Sequence, residues 1–247
     1  MTDRAKIALV TGGSRGIGAA AATTLAAQGW DVAISYRERA DVAEDVADSC
    51  LQLGRRSVAV QADVASEADV LSLFAAVDRR LGPLTGLVNN AGVVTPGARV
   101  ADYTQERLQQ LFAVNVTGAF LAAREAVRRM STSRGGQGGV IVNVSSRAAA
   151  LGGAGEYVDY AASKAAIDAM TIGLAREVAE EGIRVVGVSP GLISTDIHAP
   201  GRLERLGSSP PLGRPGEPQE VANAIGWLIS DEASYVTGAT LDISGGR

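Results

Sequence analysis

Tyr160 and Lys164 stand four residues apart in the run YAASK, and the pair Ser145-Ser146 closes an apolar, strand-like segment fourteen residues before Tyr160. On a helix, a four-residue spacing puts both side chains on one face. An ammonium beside a phenol favours the phenolate, so the pair is suited to giving and taking a proton. A free tyrosine titrates near 10 and a lysine slightly higher, so such a pair works near neutral pH only when burial and nearby positive charge shift both. A tyrosine and a lysine at this spacing also occur on ordinary helices, the ring half-buried and the amine solvated. The chemical reading therefore depends on what surrounds them.

Far upstream, the first apolar run enters Thr11-Gly-Gly-Ser-Arg-Gly-Ile-Gly18. Gly12, Gly16 and Gly18 let a backbone turn sharply, approach a pyrophosphate and pack a helix against a strand. Ser14, Arg15 and Ile17 fill the rest of the turn, and the phosphate sits at the helix N-terminus. The spacing G-x-x-x-G-x-G departs from the commoner G-x-G-x-x-G, and an isolated glycine turn is equally an ordinary strand-to-helix connection. Its place after the first strand favours a dinucleotide. At the end of the second strand an acid would bind free ribose hydroxyls, yet the residues here are Ser35-Tyr36-Arg37. Arg37 with Arg15 is suited to a 2′-phosphate through charge-assisted bonds, with Tyr36 beside it. NADP(H) is thus expected over NAD(H), the competing reading being that Arg37 is a solvated charge in a run of mixed sign.

Positioning these groups requires alternating strands and helices, the pattern of βαβ units around a parallel sheet. Apolar runs predict seven strands at Ile7 to Thr11, Asp31 to Ser35, Ser57 to Gln61, Gly86 to Asn89, Val140 to Val144, Ile183 to Val188 and Thr240 to Ile243. Val70, Phe74, Val77 and Leu81 form a helical stripe, and Asp41 with Glu44 and Ser66 with Asp69 mark helix starts. Pro218 suits the first turn of a helix through Ile229. No linker or repeat divides the 247 residues, so residues 1–247 are expected to form one Rossmann-type α/β domain, a doubly wound sheet with helices on both faces. Residues 194–217, rich in Gly, Pro and Ser, read as a mobile substrate lid.

Composition narrows the functions. The single cysteine, Cys50, excludes an internal disulfide, and with a single histidine, His198, no metal site is expected. A net charge of −4 without a basic block gives no recruitment to nucleic acid or anionic membranes. Met1 to Lys6 is polar, no run is long enough to span a bilayer, and the expected location is cytoplasmic.

Together, TGGSRGIG, the NNAG of 89–92, Asn115 in AVNVTG, the NVSS of 143–146, YAASK and the PGLIST of 190–195 resemble the classical short-chain dehydrogenase/reductase family over essentially the entire chain. Within it the sequence is most similar to bacterial reductases related to ketoacyl-carrier-protein reductase and glucose dehydrogenase. The resemblance implies a tetrad of Asn115, Ser146, Tyr160 and Lys164. Tyr160 would be acid in reduction and base in oxidation, and Ser146 would hold the substrate oxygen. Lys164 would bind the nicotinamide ribose and bias Tyr160 towards phenolate, while Asn115 would support a water that relays protons. It also implies that Asp63 and Val64 flank the adenine, that Asn89, Ala91 and Gly92 line the cofactor, and that Pro190, Gly191, Ile193 and Thr195 embrace the nicotinamide. Relatives are commonly tetramers, so a homotetramer acting on a small carbonyl or alcohol is implied. The alternatives are a sugar dehydrogenase of the glucose type, a non-catalytic NADP-binding regulator and a dehalogenase-like offshoot.

Two departures stand out. Many relatives separate serine and tyrosine by thirteen residues, so one extra residue is expected to bulge within Gly152-Gly153-Ala154-Gly155. Ser146 is favoured over Ser145 because neighbouring strand residues point to opposite faces. Val186 stands where relatives usually carry Asn, with a packing consequence expected. Tyr157 reads as loop packing or substrate wall, His198 as an exposed loop residue, and Asn143 as a partner for backbone groups. Trp227, Tyr235 and the Thr240-to-Arg247 tail read as core and assembly.

Overall fold

The computed structural model describes residues 6–198 and 201–247. The polar leader and the centre of the predicted lid thus fall partly outside the described residues. Strands β1 (Ile7–Val10), β2 (Asp31–Tyr36), β3 (Ser57–Gln61), β4 (Gly86–Asn89), β5 (Gly139–Val144), β6 (Ile183–Pro190) and β7 (Thr240–Ile243) form one parallel sheet in the order β3-β2-β1-β4-β5-β6-β7. The predicted bounds coincide at β3, β4 and β7 and shift by one or two residues elsewhere. Helical crossovers join them: α1 (Gly16–Ala27), α2 (Ala40–Gln52), α3 (Glu67–Arg80), α4 (Gln105–Phe112), α5 (Ala119–Met130), α6 (Ala148–Leu151), α7 (Val158–Glu177), α8 (Arg202–Leu206) and α9 (Pro218–Ile229). The chain runs outward from β1 through β3, then returns to place β4 on the other side of β1. That reversal opens a crevice at the carboxyl ends of β1 and β4, the place where such sheets bind ligands.

Both sheet faces are covered because successive strand residues feed opposite cores. Leu9, Leu87, Ile141 and Val185 pack with Phe74, Ala126, Met130 and Met170 of α3, α5 and α7. Their neighbours Val10, Val88, Val142 and Val186 pack with Leu25, Ile225 and Leu228 of α1 and α9. Val186, fully buried, supplies an apolar surface to this second core. Trp227 is 40 % exposed and Tyr235 wholly exposed, so of the core and assembly roles expected for them the core one does not hold.

Local signals set the helices. Ser66 caps α3 by accepting the Asp69 N–H at 3.3 Å, and Val70, Leu73, Phe74 and Val77 are buried along its inner face. Pro218 opens α9, where the Glu220 carboxylate accepts the Glu217 N–H at 2.8 Å. Helix α2 starts at Ala40 without a side-chain cap; Asp41 lies in its first turn, paired with Arg39 at 2.7 Å.

Candidate active site

The crevice at β1 and β4 continues into two adjoining cavities that share Ile17, Asn90, Gly92, Thr195 and Ile197. The first to consider is lined by the glycine turn and the carboxyl end of β2: Gly12, Ser14, Arg15, Gly16, Tyr36, Arg37, Asp63, Val64 and Ala91 all border it. Gly12 and Gly16 have φ of +62° and +55°, and a Cβ on Gly18 would lie 2.3 Å from the Gly12 carbonyl oxygen. Only glycine permits this approach of helix to turn. Gly18 thus shapes the cradle from behind without bordering the cavity. Arg15 precedes α1 without a side-chain cap, which leaves the first-turn N–H groups facing the turn, a setting for a diphosphate. Arg37 and Arg39 border the far end. Arg37 lies on Glu38 through Nε at 2.9 Å, and both are exposed enough that water weakens the pair and frees the guanidinium for a phosphate. The residues therefore fit a phosphorylated dinucleotide.

The second cavity, about 510 Å³, is lined by Ser146, Tyr160 and Lys164 together with Pro190, Gly191, Ile193 and Thr195. Helix α7 places Tyr160 and Lys164 one turn apart, and the end of β5 delivers Ser146. The alternation argument separates the two serines. Ser145 is buried with its hydroxyl on the Lys164 carbonyl at 3.1 Å, whereas the Ser146 hydroxyl reaches Tyr160. Lys164 donates from Nζ to the Val144 carbonyl at 2.8 Å, its Nζ 5.8 Å from the Tyr160 ring centre. The expected effect of the ammonium on the phenol is not seen in the protein alone. Burial pushes Tyr160 up to about 12, only partly opposed by the Ser146 hydrogen bond, and burial brings Lys164 down to about 8. Desolvation disfavours the charged form of each, and at Lys164 the Asp168 carboxylate opposes it only in part.

Asn115 lies in a π-helical turn, Ala113–Gly118, between α4 and α5, a type of irregularity common at functional sites. It does not border either cavity. Its Oδ1 accepts the Val93 N–H at 2.8 Å, and Nδ2 donates to the Val93 carbonyl at 2.9 Å and to Ser163 Oγ at 3.1 Å. Both amide hydrogens are thus committed, and the side chain clamps the segment leading from Gly92 to α7. A Cβ on Gly92 would lie 3.4 Å from Lys164 Nζ and 3.5 Å from Asn115 Oδ1, so both polar groups converge beside this glycine.

Several expectations need correction. Asn89 is buried away from the crevice, its Nδ2 donating to the Ala119 carbonyl at 2.9 Å and to Asn143 Oδ1 at 3.3 Å. Alternation turns Asn90 the other way, and this second asparagine holds the glycine turn through the Thr11 and Gly12 carbonyls at 2.9 and 3.0 Å. The NNAG motif carried that signal, since adjacent residues of an extended segment face opposite sides. Asn143 bonds side chains instead of backbone, donating to Thr171 Oγ1 at 2.9 Å. His198 is half-buried, a ring nitrogen 2.8 Å from the Ile193 carbonyl oxygen, and burial lowers its pKa.

In the segment expected to take up the extra residue before Tyr160, Gly152, Gly153 and Gly155 adopt left-handed conformations after α6. This loop delivers Glu156 and Tyr157 to the substrate cavity. Tyr157 meets the Tyr160 ring edge-on at 5.9 Å. From the segment predicted as a lid, α8 brings Arg202 over the Tyr157 ring at 4.8 Å, bonded to its hydroxyl at 2.5 Å. Asp159, one residue before Tyr160, is a further site residue that spacing did not reveal: its buried carboxylate accepts Arg107 Nε at 2.7 Å, the Tyr103 hydroxyl at 3.1 Å and the Thr95 hydroxyl at 3.2 Å. Among the described residues no group of three His, Cys, Asp or Glu could hold a metal ion. No helix among them is long and apolar enough to cross a membrane.

Comparison with known proteins places these features in a wider set. A family model described as enoyl-(acyl carrier protein) reductase matches residues 12–247. The chain is 51% identical over 245 residues to the uncharacterized oxidoreductase YgfF of Escherichia coli (strain K12), covering 98% of this chain and 99% of that protein. It is 36% identical over 243 residues to a 3-oxoacyl-[acyl-carrier-protein] reductase of Synechocystis, covering 98% and 96%. A crystal structure of a short chain dehydrogenase from Burkholderia cenocepacia J2315 in complex with NADP superposes with a TM-score of 0.91 at 38% identity, covering 98% of each chain.

Proposed function

The chain belongs to the short-chain dehydrogenase/reductase family, and from that premise we propose that it is an NADP(H)-dependent oxidoreductase interconverting a carbonyl and a secondary alcohol. One observation carries the reading: Ser146, Tyr160 and Lys164 line a cavity that opens directly into the glycine-turn crevice.

Bound NADPH supplies the hydride. Arg15 and Arg37 hold the 2′-phosphate and the first turn of α1 the diphosphate, while Asp63 and Val64 flank the adenine. Ala91, Gly92, Pro190, Gly191, Ile193 and Thr195 bound the nicotinamide end. The Ser146 and Tyr160 hydroxyls donate to the carbonyl oxygen, and their bonds strengthen as negative charge develops there. Tyr160 gives that oxygen its proton in reduction and removes it in oxidation. Lys164, fixed on the Val144 carbonyl, binds the ribose. Its proton and the oxidised nicotinamide's positive charge oppose the burial that raises Tyr160. Asn115 acts as a positioning residue through Val93 and Ser163. The protein is further proposed to be a homotetramer, supported by the exposed Phe120 and Ile172 on the outer faces of α5 and α7; light scattering that gives a monomer mass would refute this.

The test is a panel of ketones, quinones, ketoacyl thioesters and sugars, with NADPH or NADP⁺ absorbance followed in each direction. Turnover of a carbonyl or alcohol with NADP(H) supports the proposal. Tight NADPH binding with no turnover across the panel, and no deuterium transfer from labelled NADPH, sinks it in favour of a nucleotide-binding regulator.

A further inference from the structure

The substrate cavity has apolar walls, among them Ile17, Val94, Leu151, Leu192 and Ile197, yet its outer end is charged. There Glu156, from the glycine loop, meets two arginines of α8. Arg202 is largely buried, its side chain 15 % exposed, and it binds both Glu156 Oε2 and the Tyr157 hydroxyl. Arg205 is different: its side chain is 60 % exposed and makes one contact, 3.2 Å to Glu156 Oε1. Arg202 is also the main cause holding the Glu156 carboxyl below its ordinary pKa, so Glu156 stays ionised without Arg205.

Two guanidiniums share one carboxylate, which leaves a local surplus of one positive charge at this end of the cavity. This occurs in a chain whose formal charge is −4. Away from this cluster the cavity also carries Arg147, paired with Asp242 at 2.7 Å, Lys164 beside Tyr160, and Arg247. Burial lowers the pKa of His198, which disfavours its charged form. A cavity with low-dielectric walls concentrates the field of an uncompensated charge. Arg205 can turn from Glu156 to a ligand without leaving a buried carboxylate unpaired, since Arg202 keeps the internal pair. A monoanion matches the surplus, and the intervening apolar wall calls for a hydrocarbon spacer between that anion and the carbonyl beside Tyr160.

We propose that the substrate is an oxo acid, with one carboxylate separated from the reacting carbonyl by an apolar chain, and that Arg205 is the residue that recognises the carboxylate. This rests on the reductase reading above. In that reading Arg202 and Tyr157 are positioning residues, joining the anion site to the edge of the Tyr160 ring.

The test uses straight-chain oxo carboxylates of graded length, each paired with its methyl ester. Binding to the NADP⁺-loaded protein is measured by calorimetry and reduction by NADPH absorbance, for wild type and Arg205→Gln. At the best chain length the acid is expected to bind about tenfold more tightly than its ester. Arg205→Gln should abolish that ratio, chiefly through KM, and rising salt should reduce it. Thermal melting of both proteins confirms that the variant is folded. Acids and esters that bind equally at every length, or an acid-to-ester ratio unaffected by Arg205→Gln, overturn the proposal. Binding that favours the acid and depends on Arg205, without any reduction, instead refutes the carbonyl-reductase reading and leaves the anion site standing.

Discussion

Replacing Arg107 with Met tests how the catalytic helix is anchored. The Asp159 side chain is fully buried, and its strongest partner is Arg107, with Nε 2.7 Å from Oδ2 and a second guanidinium nitrogen 3.3 Å from Oδ1. Arg107 Nη1 also donates to the Pro96 carbonyl at 2.6 Å, tying the 94–97 cavity wall to α7. The variant leaves a carboxylate in the interior with two hydroxyls and the Tyr160 N–H as its donors. Removing one partner of such a pair costs about 3–5 kcal/mol. In the native protein, burial tends to raise the Asp159 pKa, but Arg107 and the other donors win, and the net shift is downward. The stabilisation from Asp159 is therefore present above the unfolded value of 3.8 and lost as pH falls through the folded one. In Arg107→Met burial prevails, so the Asp159 pKa rises and the variant's penalty shrinks as acid protonates it. Urea unfolding at fixed protein concentration should give about 3–5 kcal/mol of destabilisation at pH 7, narrowing below pH 5. Combining it with Asp159→Asn should recover part of the loss, because no buried charge is then orphaned. A loss below about 1 kcal/mol that does not vary with pH would refute the reasoning.

Lys164→Met is expected to lose turnover yet gain stability near pH 7. Holding the lysine at about 8 instead of 10.5 corresponds to roughly 3 kcal/mol against folding, offset by about 1 kcal/mol for the lost bond to Val144. Because the unfolded chain binds the extra proton between those values, wild-type stability should climb as pH rises from 8 towards 10, and this climb should vanish in the variant; a variant that melts below wild type at pH 7 contradicts the burial argument. Arg37→Ala should lower the preference for NADPH over NADH by about tenfold or more, measured as the ratio of Kd values, and an unchanged ratio excludes Arg37 as the 2′-phosphate reader.

Much of this arrangement is legible in the sequence because its signals are local. Strand bounds follow from short apolar runs closed by turn residues, and the start of α3 follows from Ser66 and Asp69. The spacing within YAASK and the alternation that separates Ser145 from Ser146 are likewise local properties. What stays hidden depends on contacts between distant segments. Arg107 and Asp159 lie 52 positions apart in sequence, and Arg202 and Glu156 lie 46 apart, with no periodicity to announce either contact. The choice of Asn89 over Asn90 failed because both asparagines sit at a strand end, where only the direction of the side chain separates a buried bracket from the residue holding the turn. The balance of protons at Lys164 and Tyr160 is likewise hidden from spacing. Spacing brings the two groups onto one face, but it does not reveal the desolvation that raises Tyr160 and lowers Lys164.

The central claim is that Tyr160 is the group that exchanges the proton with substrate. Tyr160→Phe keeps the ring and its edge contact with Tyr157 while removing only the hydroxyl. Once a turnover substrate is in hand, NADPH affinity and single-turnover reduction should be measured on the same protein sample. The account predicts NADPH binding within a few-fold of wild type, with the rate of reduction falling by about 10²–10⁴-fold. A variant that binds NADPH normally and reduces substrate at the wild-type rate would contradict it.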